Sequence, residues 1–204
     1  MIIVKSLGLC QYQDILQQMQ TFTKYRTSNT PDELWQLEHY QVFTLGQAGD
    51  EKHILNPGNI PIMNSDRGGQ VTYHGPGQLI IYLLCDLSRK KLTIRNVINS
   101  IQNSVIDLLA NYNITATGDL KNPGVYVDDA KICAIGLKVH RGCLYHGLSL
   151  NVNVDLEPFS RINPCGRKDL IVTQLSALGI KEDFNIVTNI LTANLMNYLS
   201  FGPR

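Results

Sequence analysis

A chain of 204 residues, 44% apolar and 17% charged, buries roughly 70% of its unfolded surface and needs no disulfide or metal to stay folded. That composition excludes disordered, collagen-like and coiled-coil chains, and 18 basic against 17 acidic residues, a net +1, argues against a general nucleic-acid or membrane-surface binder. Five scattered cysteines without a C-x-x-C pair, no apolar run near the ~20 residues of a membrane span, and a start without a secretory pattern point to a reducing, cytoplasmic setting.

The first eight residues read as a strand. Tyr12, Ile15, Leu16, Met19 and Phe22 recur three or four apart, which predicts a helix. Thr30-Pro31-Asp32 ends it, and Trp35 to Leu45 reads as extended. Residues 56–77 carry Pro57, Gly58, Pro61, Gly68, Gly69, Gly75, Pro76 and Gly77, a concentration that marks built loops. The apolar run Leu79 to Leu87 reads as a buried strand. Thr93 suits the N-cap of a helix whose apolar positions are Ile94, Val97, Ile98, Ile101, Val105, Leu108 and Leu109. Three strands follow, Gly124 to Val127, Lys131 to Val139 and Cys143 to Val154, joined by short polar turns that suit hairpins. Asp183 to Leu199 is a further helix, with Gly202 as its stop. Strands are bunched rather than alternating with helices, so the fold class is α+β, a mixed, largely antiparallel sheet packed with helices. One domain over residues 1–204 is expected; the pattern also accommodates a small lobe from about residue 155.

Four segments hold side chains able to carry chemistry. In Arg67-Gly68-Gly69-Gln70-Val71-Thr72-Tyr73-His74, glycines allow close backbone approach to a ligand and an arginine and histidine flank them. No Gly-Lys-Ser/Thr follows, so this is no phosphate loop, and a tight hairpin is the plain alternative. Around Lys131, strand alternation puts Lys131, Cys133 and Ile135 on one face and Ile132 and Ala134 on the other. A lysine on the inner side of such a strand must meet an anion, unless this is an edge strand and it points to water. His146, in Tyr145-His146-Gly147-Leu148-Ser149, has no second ligand at metal spacing, so no metal is expected, and a hydrogen-bonded structural role is open to it. Cys165, between Pro164 and Gly166 and near Arg161, Arg167 and Lys168, has the electropositive surroundings that favour a thiolate. Cys133 is its rival, while the other cysteines sit in apolar contexts typical of core residues.

Together with Asp32-Glu33-Leu34-Trp35, Thr44-Leu45-Gly46-Gln47-Ala48-Gly49, Ala130-Lys131-Ile132, Ala134-Ile135-Gly136 and Asn163-Pro164-Cys165-Gly166, these segments resemble one family over most of the chain. It is the octanoyltransferases of lipoate biosynthesis, the lipoyl(octanoyl) transferases. The resemblance implies a fold akin to the catalytic core of biotin and lipoate ligases, a cytoplasmic location and no cofactor. It implies octanoyl-acyl carrier protein as donor, and as acceptors the lipoyl domains of 2-oxoacid dehydrogenase complexes and the glycine cleavage H protein. By the family's pattern Cys165 is the acyl-accepting nucleophile and Lys131 its activator. Residues 67–74, Ala134 to Gly136 and Gly147 to Ser149 line the acyl pocket, with His146 and Asn163 in support. Cys133 departs from the pattern, which has a small apolar residue there.

The chemistry is consistent with that assignment. A free thiol, with a pKa of about 8.5, is only a few per cent thiolate at neutral pH, and a lysine ammonium a few ångströms away suffices to favour the ionised form. Backbone amides of the Gly-rich loop and near Gly166 are candidate oxyanion donors. Leu79, Ile81 and Ile135 are candidate pocket walls, and Arg89 to Lys91 with Lys138, His140 and Arg141 are candidate docking charges for an acidic carrier. Three rival readings are an ATP-dependent lipoate or biotin ligase, a cysteine thioesterase or amidase, and a non-catalytic carrier-binding module.

Overall fold

The apolar periodicities resolve, in a computed structural model describing residues 2–201, into two sheets and the helices that cover one of them. In chain order the elements are β1 (Ile2–Cys10), α1 (Tyr12–Tyr25), β2 (Asp32–His39), β3 (Val42–Leu45), β4 (Ile62–Asn64), β5 (Val71–His74) and β6 (Gln78–Asp86). They continue with α2 (Leu87–Lys90), α3 (Ile94–Ala110), β7 (Thr117–Asp119), β8 (Gly124–Val127), β9 (Ala130–His140), β10 (Cys143–Asn151) and α4 (Phe184–Phe201). The larger sheet runs β1-β2-β6-β10-β9-β8-β7, the smaller β4-β3-β5. β1 pairs with β2 in parallel and β3 with β4 in parallel; the remaining pairings are antiparallel. The expected mixed, largely antiparallel α+β architecture is therefore the one observed.

β6 explains the layering. Its continuous apolar run is buried on both faces although it is antiparallel to both neighbours. Leu79, Ile81, Leu83 and Cys85 join Val97, Ile101, Val105 and Leu108 of α3 and Val187, Leu191 and Leu195 of α4 in the main core. Ile80, Tyr82 and Leu84 face the other way, into a second core with Tyr12, Ile15, Leu16 and Met19 of α1. α3 starts where the sequence places it, because Thr93 and Asn96 form a capping box: the Asn96 amide donates to Thr93 Oγ1 and the Thr93 amide to Asn96 Oδ1.

Two readings are corrected. The extended stretch Trp35 to Leu45 is two strands in different sheets, separated at Tyr40 and Gln41. β10 ends at Asn151 rather than Val154, where residues 152 and 153 instead donate to the Gly77 carbonyl. Residues 156–162 pack into the small sheet's core, with Ile162 buried there and Leu156 and Phe159 against Phe43, Val71 and Tyr73, whereas Leu175 and α4 join the main core. The stop at Gly202 lies outside the described residues. Among the described residues no helix is long and apolar enough to cross a membrane.

Ile101 is fully buried between α3 and the sheet, whereas Thr93 acts only at a helix end. Ile101→Ala should cost about 2–5 kcal/mol of unfolding free energy and Thr93→Ala about 1 kcal/mol. Urea unfolding followed by circular dichroism checks that ranking, and equal losses would contradict the packing described.

Candidate active site

Lys131 is the second residue of β9, and the chain there does not keep the plain alternation. β8 and β9 lose register between Val125 and Tyr126: Val125 pairs with Cys133, but Tyr126 pairs with Lys131. One extra residue, Ile132, is thus inserted, as in a β-bulge. Cys133 and Ile132 both turn into the main core, fully buried, while Lys131 faces the other side with Ala134. The expectation that Lys131 and Cys133 share a face is overturned by that bulge. Burial pushes the Cys133 thiol up to about 12, with Lys131 partly offsetting it.

Lys131 is 5% exposed, and its Nζ donates to Cys165 Sγ at 3.2 Å. The ammonium also stands 5.2 Å from the centre of the Tyr126 ring. Burial works against its charge, but Cys165 and Tyr126 outweigh burial and hold the lysine above its ordinary value. Gly124 of β8 makes room for this side chain, since a Cβ there would lie 2.8 Å from Lys131 Cε. On the other side, residues 171–173 run parallel to the start of β9: the Lys131 amide donates to the Ile171 carbonyl and the Thr173 amide to that of Lys131.

Cys165 stands in a one-turn 3₁₀ segment, Pro164–Gly166, with φ 56° and ψ 21°. A non-glycine residue in this left-handed region carries strain of order 1–3 kcal/mol, held in place by its surroundings. Here the Gly166 amide donates to Asn163 O at 2.9 Å, and the Asn163 amide to His53 O at 2.7 Å. Asn163 Nδ2 also donates to His53 Nδ1 at 3.4 Å. Asn163 therefore supports the cysteine turn from outside the cavity, and the Gly166 amide, engaged with Asn163, is not an oxyanion donor.

A cavity of about 200 Å³ opens beside the pair. Its floor is a patch of small residues on the sheet, Ala134 and Gly136 of β9 opposite Ser149 and Gly147 of β10. Arg67 and Gly68 cross this floor: the Gly68 amide donates to Leu137 O at 3.0 Å, and a Cβ on Gly136 would meet Arg67 Cδ at 2.9 Å. Gly69, Gln70, Thr72 and His74 complete that side, and the exposed Lys121 reaches the lining from the loop after β7. Ile80, Tyr82 and Tyr12 form apolar and aromatic wall. Ile135 and Leu148 border the cavity but pack their side chains against the main core. Tyr73 is no part of the lining: on the opposite face of β5 its ring packs against Phe43 and Phe159, and Val71 turns its side chain into that same core. Leu79 and Ile81 point away into the main core for the same reason of strand alternation, so Ile80 and Tyr82 replace them as walls.

The polar residues around the cavity are closely tied. Arg67 Nη2 donates to Thr44 O and Thr44 Oγ1, both at 2.8 Å, and among the described ion pairs Arg67 has no carboxylate partner. His146, at φ 63°, breaks alternation within β10, so that Tyr145 and His146 both reach Asp66. Burial opposes ionisation of Asp66, but bonds from His146, Tyr145 and Gln20 outweigh it and hold the carboxyl well below its usual range. Burial lowers His146 despite Asp66, lowers His39 to about 4, and with His39 lowers His74 to about 3, so His39 and His74 are neutral at pH 7. Sequence reasoning missed Asp66, Tyr12, Tyr82 and His53. Tyr12 and Tyr82 were hidden within apolar periodicity, and only the adjacency of Asp66 to Arg67 was a signal. The docking charges also divide: Arg89 bonds Asp32, Ser28 O and Thr30 O, and Lys90 bonds Leu199 O, so these two brace α2.

The family model described as lipoyl protein ligase A/B catalytic domain matches residues 11–194. An octanoyltransferase of Yersinia pestis (strain Pestoides F) is 53% identical over 177 residues, covering 87% of this chain and 76% of that protein. One of Vibrio vulnificus (strain CMCP6) is 50% identical over 200 residues, covering 98% and 92%. The crystal structure of lipoate-protein ligase A bound with ATP matches with a TM-score of 0.80 at 14% identity, over 97% of this chain and 85% of that one, which is a likeness of fold. The chain thus belongs to the lipoyl protein ligase A/B catalytic domain family, and within it to the octanoyltransferases.

Proposed function

We propose that this chain, acting as one catalytic domain in the cytoplasm, moves an octanoyl group from octanoyl-acyl carrier protein to a lysine of lipoyl domains through an acyl-enzyme on Cys165. The observation that carries this reading is the Lys131 Nζ to Cys165 Sγ contact of 3.2 Å beside a cavity floored by small sheet residues. An ammonium at that distance is the counter-charge of a thiolate, and each methylene of an acyl tail that leaves water contributes about 0.8 kcal/mol. The acceptors in this reading are the lipoyl domains of 2-oxoacid dehydrogenase complexes and the glycine cleavage H protein.

In the first half-reaction Cys165 Sγ forms a bond to the thioester carbonyl carbon, the carbon–sulfur bond to the carrier breaks, and the departing thiolate takes a proton from Lys131. The acceptor amine then attacks the acyl-cysteine. Its surplus proton returns to Lys131, and the Cys165 thiolate leaves beside a restored ammonium. One thioester and one amine become one thiol and one amide, with protons balanced and no ATP consumed. Cys133, buried in the main core, has no access to the cavity in this scheme.

Incubation with octanoyl-acyl carrier protein alone should leave an octanoyl adduct on the Cys165 peptide, detected by mass; Cys133→Ala should retain it and Cys165→Ala lose it along with transfer. An adduct on another residue, or transfer that requires ATP, would replace this reading. Lys131→Ala should lower kcat by about 10²–10⁴-fold, as loss of a proton-transfer group does, with the donor KM changed far less. A raised KM at unchanged kcat would instead make Lys131 a binding residue.

A further inference from the structure

The short segment that holds Lys131 is itself held by a chain of buried polar side chains that runs from the acyl cavity's Arg67 and His74 to Asn151 beyond it. Residues 171–176 are wedged between the start of β9 and the end of β10: 171 and 173 bond the Lys131 backbone, while the Leu175 and Ser176 amides donate to Asn151 O and Val152 O. One side chain clamps the wedge, as Asn151 Nδ2 donates to Thr173 O at 2.9 Å. Its Oδ1 accepts from Gln78 Nε2 at 2.8 Å, and Gln78 Oε1 accepts from His74 Nδ1 at 2.6 Å. His74 Nε2 lies 3.3 Å from Thr44 Oγ1, which in turn accepts from Arg67 Nη2.

Each link fixes the direction of the next. Asn151 must accept with its oxygen and donate with its nitrogen, which sets Gln78 the same way round. His74 is neutral, so a proton on Nδ1 leaves Nε2 to accept from the Thr44 hydroxyl. His74, Gln78 and Asn151 are all buried, and Gln78 and Asn151 border a second cavity of about 20 Å³ together with Thr72, Lys131 and Cys165. A network so directed, with no alternative arrangement of donors, resists displacement at any point along it.

We infer that Asn151, backed by Gln78 and His74, is a positioning residue that keeps the Lys131 ammonium on Cys165 by clamping the 171–173 segment. This rests on the proposed Lys131–Cys165 pair. It extends the functional residues beyond the acyl pocket to a relay that couples the Arg67 end of the site to the cysteine end. Replacement of Asn151 by leucine, of similar shape, leaves Gln78 Nε2 and Thr173 O without that partner.

The test is a double-mutant cycle read by iodoacetamide alkylation of Cys165, quantified on its own peptide, in the full chain. Asn151→Leu should slow alkylation by roughly 5- to 150-fold, the span corresponding to an unpaired buried polar group, and lower kcat for transfer with little change in the donor KM. In the Lys131→Ala background Asn151→Leu should add nothing further. Equal slowing in both backgrounds, or no slowing in either, overturns the inference while the pair stands. No effect of Lys131→Ala on alkylation overturns the pair itself and the inference with it. Thermal unfolding verifies that each variant folds; should Asn151→Leu fail there, Gln78→Met breaks the same relay one link away and carries the same cycle.

Discussion

Lys131 is a buried cation whose nearest partners are a sulfur and an aromatic face rather than a carboxylate. A buried ammonium persists only where its surroundings accept the charge, and much of the nearby structure meets that demand. β8 carries glycine at 124, where a Cβ would meet the Cys133 carbonyl at 2.5 Å and Lys131 Cε at 2.8 Å. β9 bulges at Ile132, so that the lysine faces the cavity while Ile132 and Cys133 stay in the core. The 171–173 segment fixes the lysine backbone, and the strained turn at Cys165 brings sulfur to the ammonium.

The cavity exists because the two faces of the large sheet are used differently. α3 and α4 cover one face with a continuous apolar core. α1 covers only part of the other, and the uncovered part carries alanine, serine and glycines where larger residues would fill the space. The result is a recess floored by small residues of the sheet.

Charge around that recess is sparse and placed. His39 and His74 are kept neutral by burial, so at pH 7 they serve as hydrogen-bonding groups of fixed direction. Asp66 stays ionised, yet its oxygens are taken up by Tyr145, His146 and Gln20. Arg67, Lys131 and the exposed Lys121 remain as cations bordering the cavity without a carboxylate partner among the described ion pairs. Such a site suits a substrate whose reacting group is polar and whose remainder is apolar.

Local pattern was enough for the α+β class, for α1, α3 and α4, for the buried β6 and for Thr93 as an N-cap, since each depends on periodicity or on residues within one turn. It was also enough to single out Cys165 by its Pro-Gly turn and basic neighbours, and the Arg67 to His74 loop by its glycines. Which residues face the cavity was decided elsewhere. One inserted residue at Ile132 separated Lys131 from Cys133, and a left-handed His146 turned two successive side chains to one face. Strand parity exchanged Ile80 and Tyr82 for Leu79 and Ile81, and removed Tyr73 from the lining. The approach of Lys131 to Cys165, 34 positions apart, and the relay from Arg67 through His74 to Asn151, join segments distant along the chain. Such meetings depend on how strands are ordered and in what register they pair, and hydrophobic periodicity along one segment carries no record of either.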